Sequence, residues 1–155
     1  MNRLHVALAT GLAATALAAV AGVWWTRAPA EPWRLQPGDA AVVAEGRTIY
    51  RQHCAACHGA ELQGQADWRT PDAEGYLPAP PHDETGHTWH HPEEQLFRIT
   101  KLGTAKAAKL KDYKTRMPGF EGVLDDDEIV AALTYIKSTW PEDIRRRHDA
   151  MSAAK

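Results

Sequence analysis

The segment Cys54-Ala55-Ala56-Cys57-His58 has the clearest chemical potential in the sequence, and it contains both cysteines of the chain. Two thiols with two residues between them can each add to a vinyl group of haem. The histidine that follows then lies beneath the ring and ligates the iron. This spacing therefore predicts covalent attachment of one haem.

The same residues have three other interpretations. A thioredoxin-like redox pair needs a βαβ setting, which the sequence does not predict. A structural zinc site would combine Cys54 and Cys57 with two histidines. A disulfide across two intervening residues would close a strained loop of little structural value. The histidines available for zinc are His82, His87, His90 and His91.

The N-terminal segment indicates an exported protein, which favours haem attachment. Residues 6–25 form an uncharged run, VALATGLAATALAAVAGVWW. As a helix this run would span about 30 Å, the thickness of the hydrocarbon core of a bilayer. Trp24 and Trp25 end it where aromatic side chains prefer to lie. We expect an uncleaved membrane anchor over residues 1–27. The alternative is a signal peptide cleaved near Ala28-Pro29-Ala30, although secretory apolar cores usually run about 7–15 residues.

The rest of the chain has the composition of one small globular domain. The 155 residues are 44% apolar and 25% charged, with a formal net charge of −2. These values argue against a disordered chain, and no global basic excess points to nucleic acid. Residues 28–38 contain three prolines and are predicted to be an irregular tether. Residues 39–155 are then the folded domain.

Local signals predict an all-α fold, because four helix starts are recognisable and no alternating strand pattern appears. The predicted signals are Asp39 as a cap before the cysteine pair, Pro92 as a first helical residue with Gly103 as a stop, Asp125 with Glu128 in a variant capping box, and Pro141 before a short final helix that ends in Arg145-Arg146-Arg147.

Over residues 39–140 the chain resembles the class I c-type cytochromes, specifically small bacterial membrane-anchored monohaem members. That family places a glycine and an aromatic residue four apart before the C-x-x-C-H motif, matched here by Gly46 and Tyr50. It also places an aromatic residue in the C-terminal helix, matched by Tyr135. The resemblance implies a class I cytochrome c fold around one covalent haem c. Cys54 and Cys57 would carry the haem, and His58 would be its proximal axial ligand.

The resemblance also implies Met117 as the second axial ligand. Met117 lies in Arg116-Met117-Pro118, shortly before the C-terminal helix, where the methionine loop of the family lies. Pro118 favours an extended backbone at the preceding residue. Met1 precedes the anchor, and Met151 is predicted to lie beyond the last helix.

The histidine-rich stretch offers a different second ligand. Bis-histidine ligation by one of its four members, His82, His87, His90 and His91, is the alternative to Met117. Two further interpretations are a separate metal site formed by these histidines and a helix cap at His91. The family also supports its proximal histidine with a proline carbonyl, and Pro78-Ala79-Pro80-Pro81 is the expected source.

A basic run over residues 98–116 adjoins Met117 and contains seven basic residues and one acid, Asp112. A solvated face is one interpretation of this run. In the resembling family, lysines around the exposed haem edge attract acidic redox partners, and complementary charge raises the rate of encounter.

We therefore predict an electron carrier rather than an enzyme. One six-coordinate haem c would exchange single electrons on the periplasmic side of the cytoplasmic membrane, as part of a respiratory chain. Its partners would be a quinol–cytochrome c reductase, a terminal oxidase or another exported reductase, and no nucleic acid. The alternatives are a haem enzyme or gas sensor with an open distal site, a fixed subunit of a larger respiratory complex, and a soluble periplasmic protein after signal cleavage.

Overall fold

A computed structural model describes residues 31–154, and within that range every regular element is helical. The predicted anchor at residues 6–25 lies outside the described residues. Inside the described range, no helix is long and apolar enough to cross a membrane. The elements are α1 (Ala40–His53), α2 (Ala55–His58), a 3₁₀ turn (Thr88–His90), α3 (Glu93–Leu102), α4 (Thr104–Ala107), α5 (Asp126–Ser138) and α6 (Glu142–Ala153).

The predicted caps of α1 and α5 are confirmed. The Asp39 carboxylate accepts hydrogen bonds from the first-turn amides of α1. Asp125 and Glu128 form a reciprocal capping box at the start of α5. Gly103 ends α3 with a φ of 80°, which a residue with a side chain adopts only under strain.

The start of α3 differs from the prediction by one residue. Pro92 has a ψ of 156° and is the N-cap, so the helix begins at Glu93. His91 precedes a proline and is extended, and it is therefore not the helix cap that the sequence suggested.

The final helix, α6, is longer than predicted and continues to Ala153 instead of ending near Arg147. Its second half is held by tertiary contacts. His148 is fully buried, and its Nε2 donates to the His91 carbonyl over 2.9 Å. Met151 consequently lies within α6.

An ion-pair cluster centred on buried Lys137 joins α3, α5 and α6. Lys137 of α5 is 1% exposed, and its Nζ lies 2.6 Å from a Glu93 oxygen and 2.5 Å from an Asp149 oxygen. Removing one partner of such a buried pair leaves an uncompensated charge. The cluster thus couples the C-terminal helix to the body of the domain.

The two longest helices of residues 31–154, α1 and α5, cross closely at Gly46. A Cβ atom built on Gly46 would overlap the Ala131 carbonyl group, so only glycine allows this approach. Beside the crossing, the Tyr50 and Tyr135 rings pack with centroids 5.5 Å apart. The crossing fixes the end of α1, where the cysteine pair lies.

The described part of the predicted tether already belongs to the domain. Leu35 is buried, and its amide donates to Glu93. The Gln36 amide donates to the Thr134 hydroxyl of α5 over 3.1 Å. The folded domain thus begins a few residues before Asp39.

Candidate functional site

The C-x-x-C-H residues form the junction between α1 and α2. Cys54 ends α1, and its amide donates to the Tyr50 carbonyl. Cys54 is partly buried, Cys57 is exposed and His58 is buried. Burial, and then the nearby Cys57 thiol, raise the pKa of the Cys54 thiol to about 11.

The ring of His58 is oriented by a proline carbonyl, as expected, and the structure identifies it as that of Pro80. His58 Nδ1 donates to this carbonyl over 2.8 Å. A carbonyl only accepts, so the proton is fixed on Nδ1 and the Nε2 lone pair is free to bind a metal. Burial lowers the pKa of His58, although the Pro80 hydrogen bond opposes the change. The neutral form that iron requires is therefore favoured.

A second imidazole, that of His82, stacks on His58. The ring centroids are 3.9 Å apart and the planes differ by 21°. Burial, with His58 and His87 nearby, lowers the pKa of His82 well below its ordinary value. Because its ring lies beside that of His58, His82 would lie on the same side as His58 of a haem bound through His58.

Cys54, Cys57, His58 and Met117 all line one cavity of about 460 Å³. Ligand and cofactor sites usually fall between about 300 and 1,000 Å³. Apolar side chains of two helices, α3 and α5, complete the walls, among them Leu96, Ile99, Leu133 and Ile136. This arrangement brings together the four residues that the sequence predicted.

The loop that carries Met117 is tied to the segment 72–76. Arg116 donates to Asp72 over 2.6 Å and to Glu74 over 2.8 Å. Its guanidinium also lies 4.0 Å from the centre of the Tyr76 ring. We call these contacts the Arg116 clasp. The sequence did not predict the clasp, because Asp72 and Glu74 precede Arg116 by more than 40 residues.

The sulfur of Met117 has a hydroxyl neighbour. Thr104 Oγ1 donates to Met117 Sδ over 3.9 Å, a long and weak contact. The Met117 amide donates to Thr115 Oγ1 over 3.0 Å. Half-buried Met117 thus has its backbone fixed while its thioether faces the cavity wall.

The competing interpretations of the cysteines find no support in the part of the chain that the structure describes. Both thiols are free, and no strand provides a βαβ setting. The one cluster of three potential metal ligands within residues 31–154 is Glu93, His148 and Asp149, which excludes the cysteines. The Lys137 ammonium group already pairs with Glu93 and Asp149 of that cluster.

Two members of the histidine-rich stretch remain candidates for an axial ligand. His87 and His91 line the cavity. His90 is exposed and stacks on Trp89 with centroids 3.7 Å apart, outside the cavity wall. His87 stacks on Trp68, which also lines the cavity.

Three of the seven basic residues of the run are paired with acids. Lys101 pairs with Asp126, Lys106 pairs with Glu121, and Arg116 forms the clasp. Within residues 31–154, the basic residues of the run without an ion pair are Arg98, Lys109, Lys111 and Lys114, and Lys114 donates to the Glu74 carbonyl. The unpaired charge is therefore concentrated near Lys109 and Lys111, beside exposed Leu110 and Tyr113.

The residues around the cavity fit a covalently bound haem. Two free thiols, one neutral imidazole with an open Nε2 and one thioether converge on apolar walls. The cytochrome c family model matches residues 43–140, and the chain belongs to that family. It is a class I c-type cytochrome, and its cofactor is covalently attached haem c.

The curated relatives are oxidase subunits. The chain is 28% identical over 114 residues to the cbb3-type cytochrome c oxidase subunit FixP of Bradyrhizobium diazoefficiens, covering 72% of this chain and 35% of the relative. It is 26% identical over 113 residues to FixP of Bradyrhizobium sp., with the same coverage. The chain thus spans about a third of the length of these relatives. No solved structure matches.

Proposed function

We propose that this cytochrome carries single electrons through one haem c bonded to Cys54 and Cys57, with His58 and Met117 as axial ligands. The observation that carries the proposal is the convergence of these four residues on one cavity. When bound, haem supplies an iron that alternates between the ferrous and ferric states.

The protein's own residues then hold and insulate that group. Pro80 orients His58, which would hold the proximal nitrogen in one position towards a bound haem. The buried apolar walls from α3 and α5 exclude water. A neutral thioether from Met117 favours the ferrous state more than an imidazole does. These features suit a carrier that binds no substrate at iron.

Covalent attachment is tested by extraction. Haem should remain on the polypeptide through acid-acetone treatment and denaturing electrophoresis. Cys54→Ala and Cys57→Ala should each remove one thioether bond, and the double variant should release all the haem. Release of haem from the unaltered chain would contradict the proposal.

The role of Met117 is tested by substitution. Met117→Ala should abolish the weak far-red band of sulfur-ligated ferric haem and open the iron to carbon monoxide. Met117→His should restore six-coordination at a lower midpoint potential. Met151→Ala is the matched control, because Met151 lies in α6 and outside the cavity wall. An unchanged spectrum in Met117→Ala would transfer the ligand role to His87 or His91.

We further propose that an acidic redox partner docks at the unpaired charges of the basic run. Lys109 and Lys111 flank exposed Leu110 beside Tyr113 of the cavity wall. Reversing both lysines to Glu should slow electron transfer, most clearly at low salt, and leave the midpoint potential nearly unchanged. Equal slowing by the control reversal of Arg146 and Arg147, which lie exposed on α6, would exclude a specific docking face.

The likeness to FixP favours a second candidate, a fixed subunit of a membrane-bound terminal oxidase. Residues 6–25 would anchor the chain, with the haem domain on the periplasmic side. Detergent extraction separates the two candidates. A carrier is recovered alone, whereas a subunit co-purifies with oxidase activity. Intact mass shows whether the N-terminal segment is retained, and a soluble form starting near residue 31 would disprove the anchor.

A further inference from the structure

The proposed electron carrier assigns no role to His82, yet this side chain covers the face of His58. Pro80 holds one edge of the His58 ring through Nδ1. A single hydrogen bond leaves the ring free to rock about the N–H···O direction. The nearly parallel His82 ring, 3.9 Å away, removes that freedom.

The His82 ring is itself fixed on its edge and its flank. Its Nδ1 lies 2.7 Å from Oγ1 of the buried Thr88, which is within hydrogen-bond distance. The Tyr50 ring meets it edge-on, with centroids 6.2 Å apart and planes at 72°. Tyr50 is fully buried, and its hydroxyl donates to the Gly59 carbonyl next to His58. His82 is thus held against His58 rather than resting there by chance.

The backbone of the same loop is anchored at both ends by residues that follow α5, one before α6 and one within it. Trp140 Nε1 donates to the His82 carbonyl over 2.8 Å. His148 Nε2 donates to the His91 carbonyl over 2.9 Å. The Trp140 and His148 rings pack edge-to-face with centroids 5.0 Å apart. Trp140, just before α6, and His148, within α6, therefore support this loop at two points.

We propose that His82 is a positioning residue for His58, which sets the orientation of the proximal imidazole plane and, through its polarity, lowers the midpoint potential. The inference rests on the proposed ligation of iron by His58. A stacked ring restricts rotation, whereas an aliphatic side chain would fill the space without aligning the plane. A polar ring against the ligand of the iron would stabilise the more positive ferric state better than a hydrocarbon would.

Two substitutions separate the two effects. His82→Phe keeps a flat ring against His58 but removes both nitrogens. His82→Leu removes the flat ring as well. The ferric holoprotein is measured by electron paramagnetic resonance, whose g values report the ligand plane, and by redox titration. His90→Leu is the matched control, because His90 is exposed and lies outside the cavity wall.

We expect both His82 variants to raise the midpoint potential. The g values should change or broaden in His82→Leu and stay close to wild type in His82→Phe, and His90→Leu should change neither quantity. A wild-type potential and wild-type g values in His82→Leu would overturn the proposal.

Thr88→Val provides the test if neither His82 variant accumulates as holoprotein. It keeps the His82 ring and removes its hydrogen bond, together with the longer one that Thr88 Oγ1 donates to the Pro81 carbonyl over 3.5 Å. Broadened g values would support the proposal, and wild-type values would refute it. Failure of the proposed function would give results different from failure of the His82 proposal. The unaltered chain would release its haem on extraction, or Met117→Ala would leave the far-red band unchanged.

Discussion

Replacing Gly46 by alanine would place a methyl group inside the backbone of α5. The added Cβ would overlap the Ala131 carbonyl and lie 3.1 Å from the Ala132 nitrogen. Restoring ordinary contact at 3.4 Å requires α1 and α5 to separate by about 1.5 Å. A backbone carbonyl cannot rotate away as a flexible side chain would, so the whole crossing must adjust.

The size of the effect follows from two opposing contributions. Overpacking a close contact costs about 1–3 kcal/mol, and a backbone neighbour places this case near 3 kcal/mol. Alanine recovers roughly 1 kcal/mol of helix propensity relative to glycine. The net loss of unfolding free energy is therefore about 2 kcal/mol, which lowers the melting temperature of a domain of this size by roughly 6–10 °C.

Urea denaturation of the holoprotein, followed by far-ultraviolet circular dichroism, measures this loss. Gly38→Ala is the matched control, because nothing lies within 4 Å of a Cβ atom built at Gly38. Its unfolding free energy should stay within about 0.5 kcal/mol of wild type. Equal stability of the two variants would refute the argument that the crossing depends on Gly46.

Three further predictions concern the clasp, the buried ion pair and the buried histidine of α6. Arg116→Gln should weaken the far-red band and speed carbon monoxide binding, because the clasp no longer holds the backbone next to Met117. Lys106→Gln is the control, since it loses an exposed ion pair and should leave the spectrum unchanged. Lys137→Met should cost about 3–5 kcal/mol in urea denaturation, since it leaves a buried carboxylate unpaired. Burial lowers the pKa of His148, so below about pH 6.5 the unfolded chain binds more protons than the folded one. The unfolding free energy should therefore fall as the pH drops through that range. His148→Leu should reduce this dependence of the unfolding free energy on pH.

The features that were predictable from sequence are local or repeat a known family pattern. The caps at Asp39 and Asp125 act within four residues, so their signals lie together in the chain. The crossing at Gly46 followed from the resemblance. By contrast, α6 is extended by contacts of His148 with a residue 57 positions away. No periodicity carries that information.

The basic run shows that local sequence signals also predict the site only in part. As a sequence, residues 98–116 are an excess of positive charge beside Met117. In the structure, Arg116 pairs with acids 42 and 44 residues earlier, and three of the seven basic residues of the run have an acidic partner. The stacking of His82 on His58 was likewise not predictable, since the two residues are 24 positions apart and no shared element predicts their approach. Charge and ring contacts of this kind depend on loop paths that local propensity does not determine.

The crossing of α1 and α5 also orders the assembly of the molecule in time. Gly46 and Ala131 are about 85 residues apart, and closing a loop of that length costs about 4 kcal/mol of chain entropy beyond a constant. α5 supplies Ala132, Leu133 and Ile136 to the cavity wall. A chain made from its N-terminus presents the cysteine pair before α5 exists, while that side of the cavity is still open. We therefore expect haem to be bonded to the cysteines before α5 docks and closes that side of the cavity.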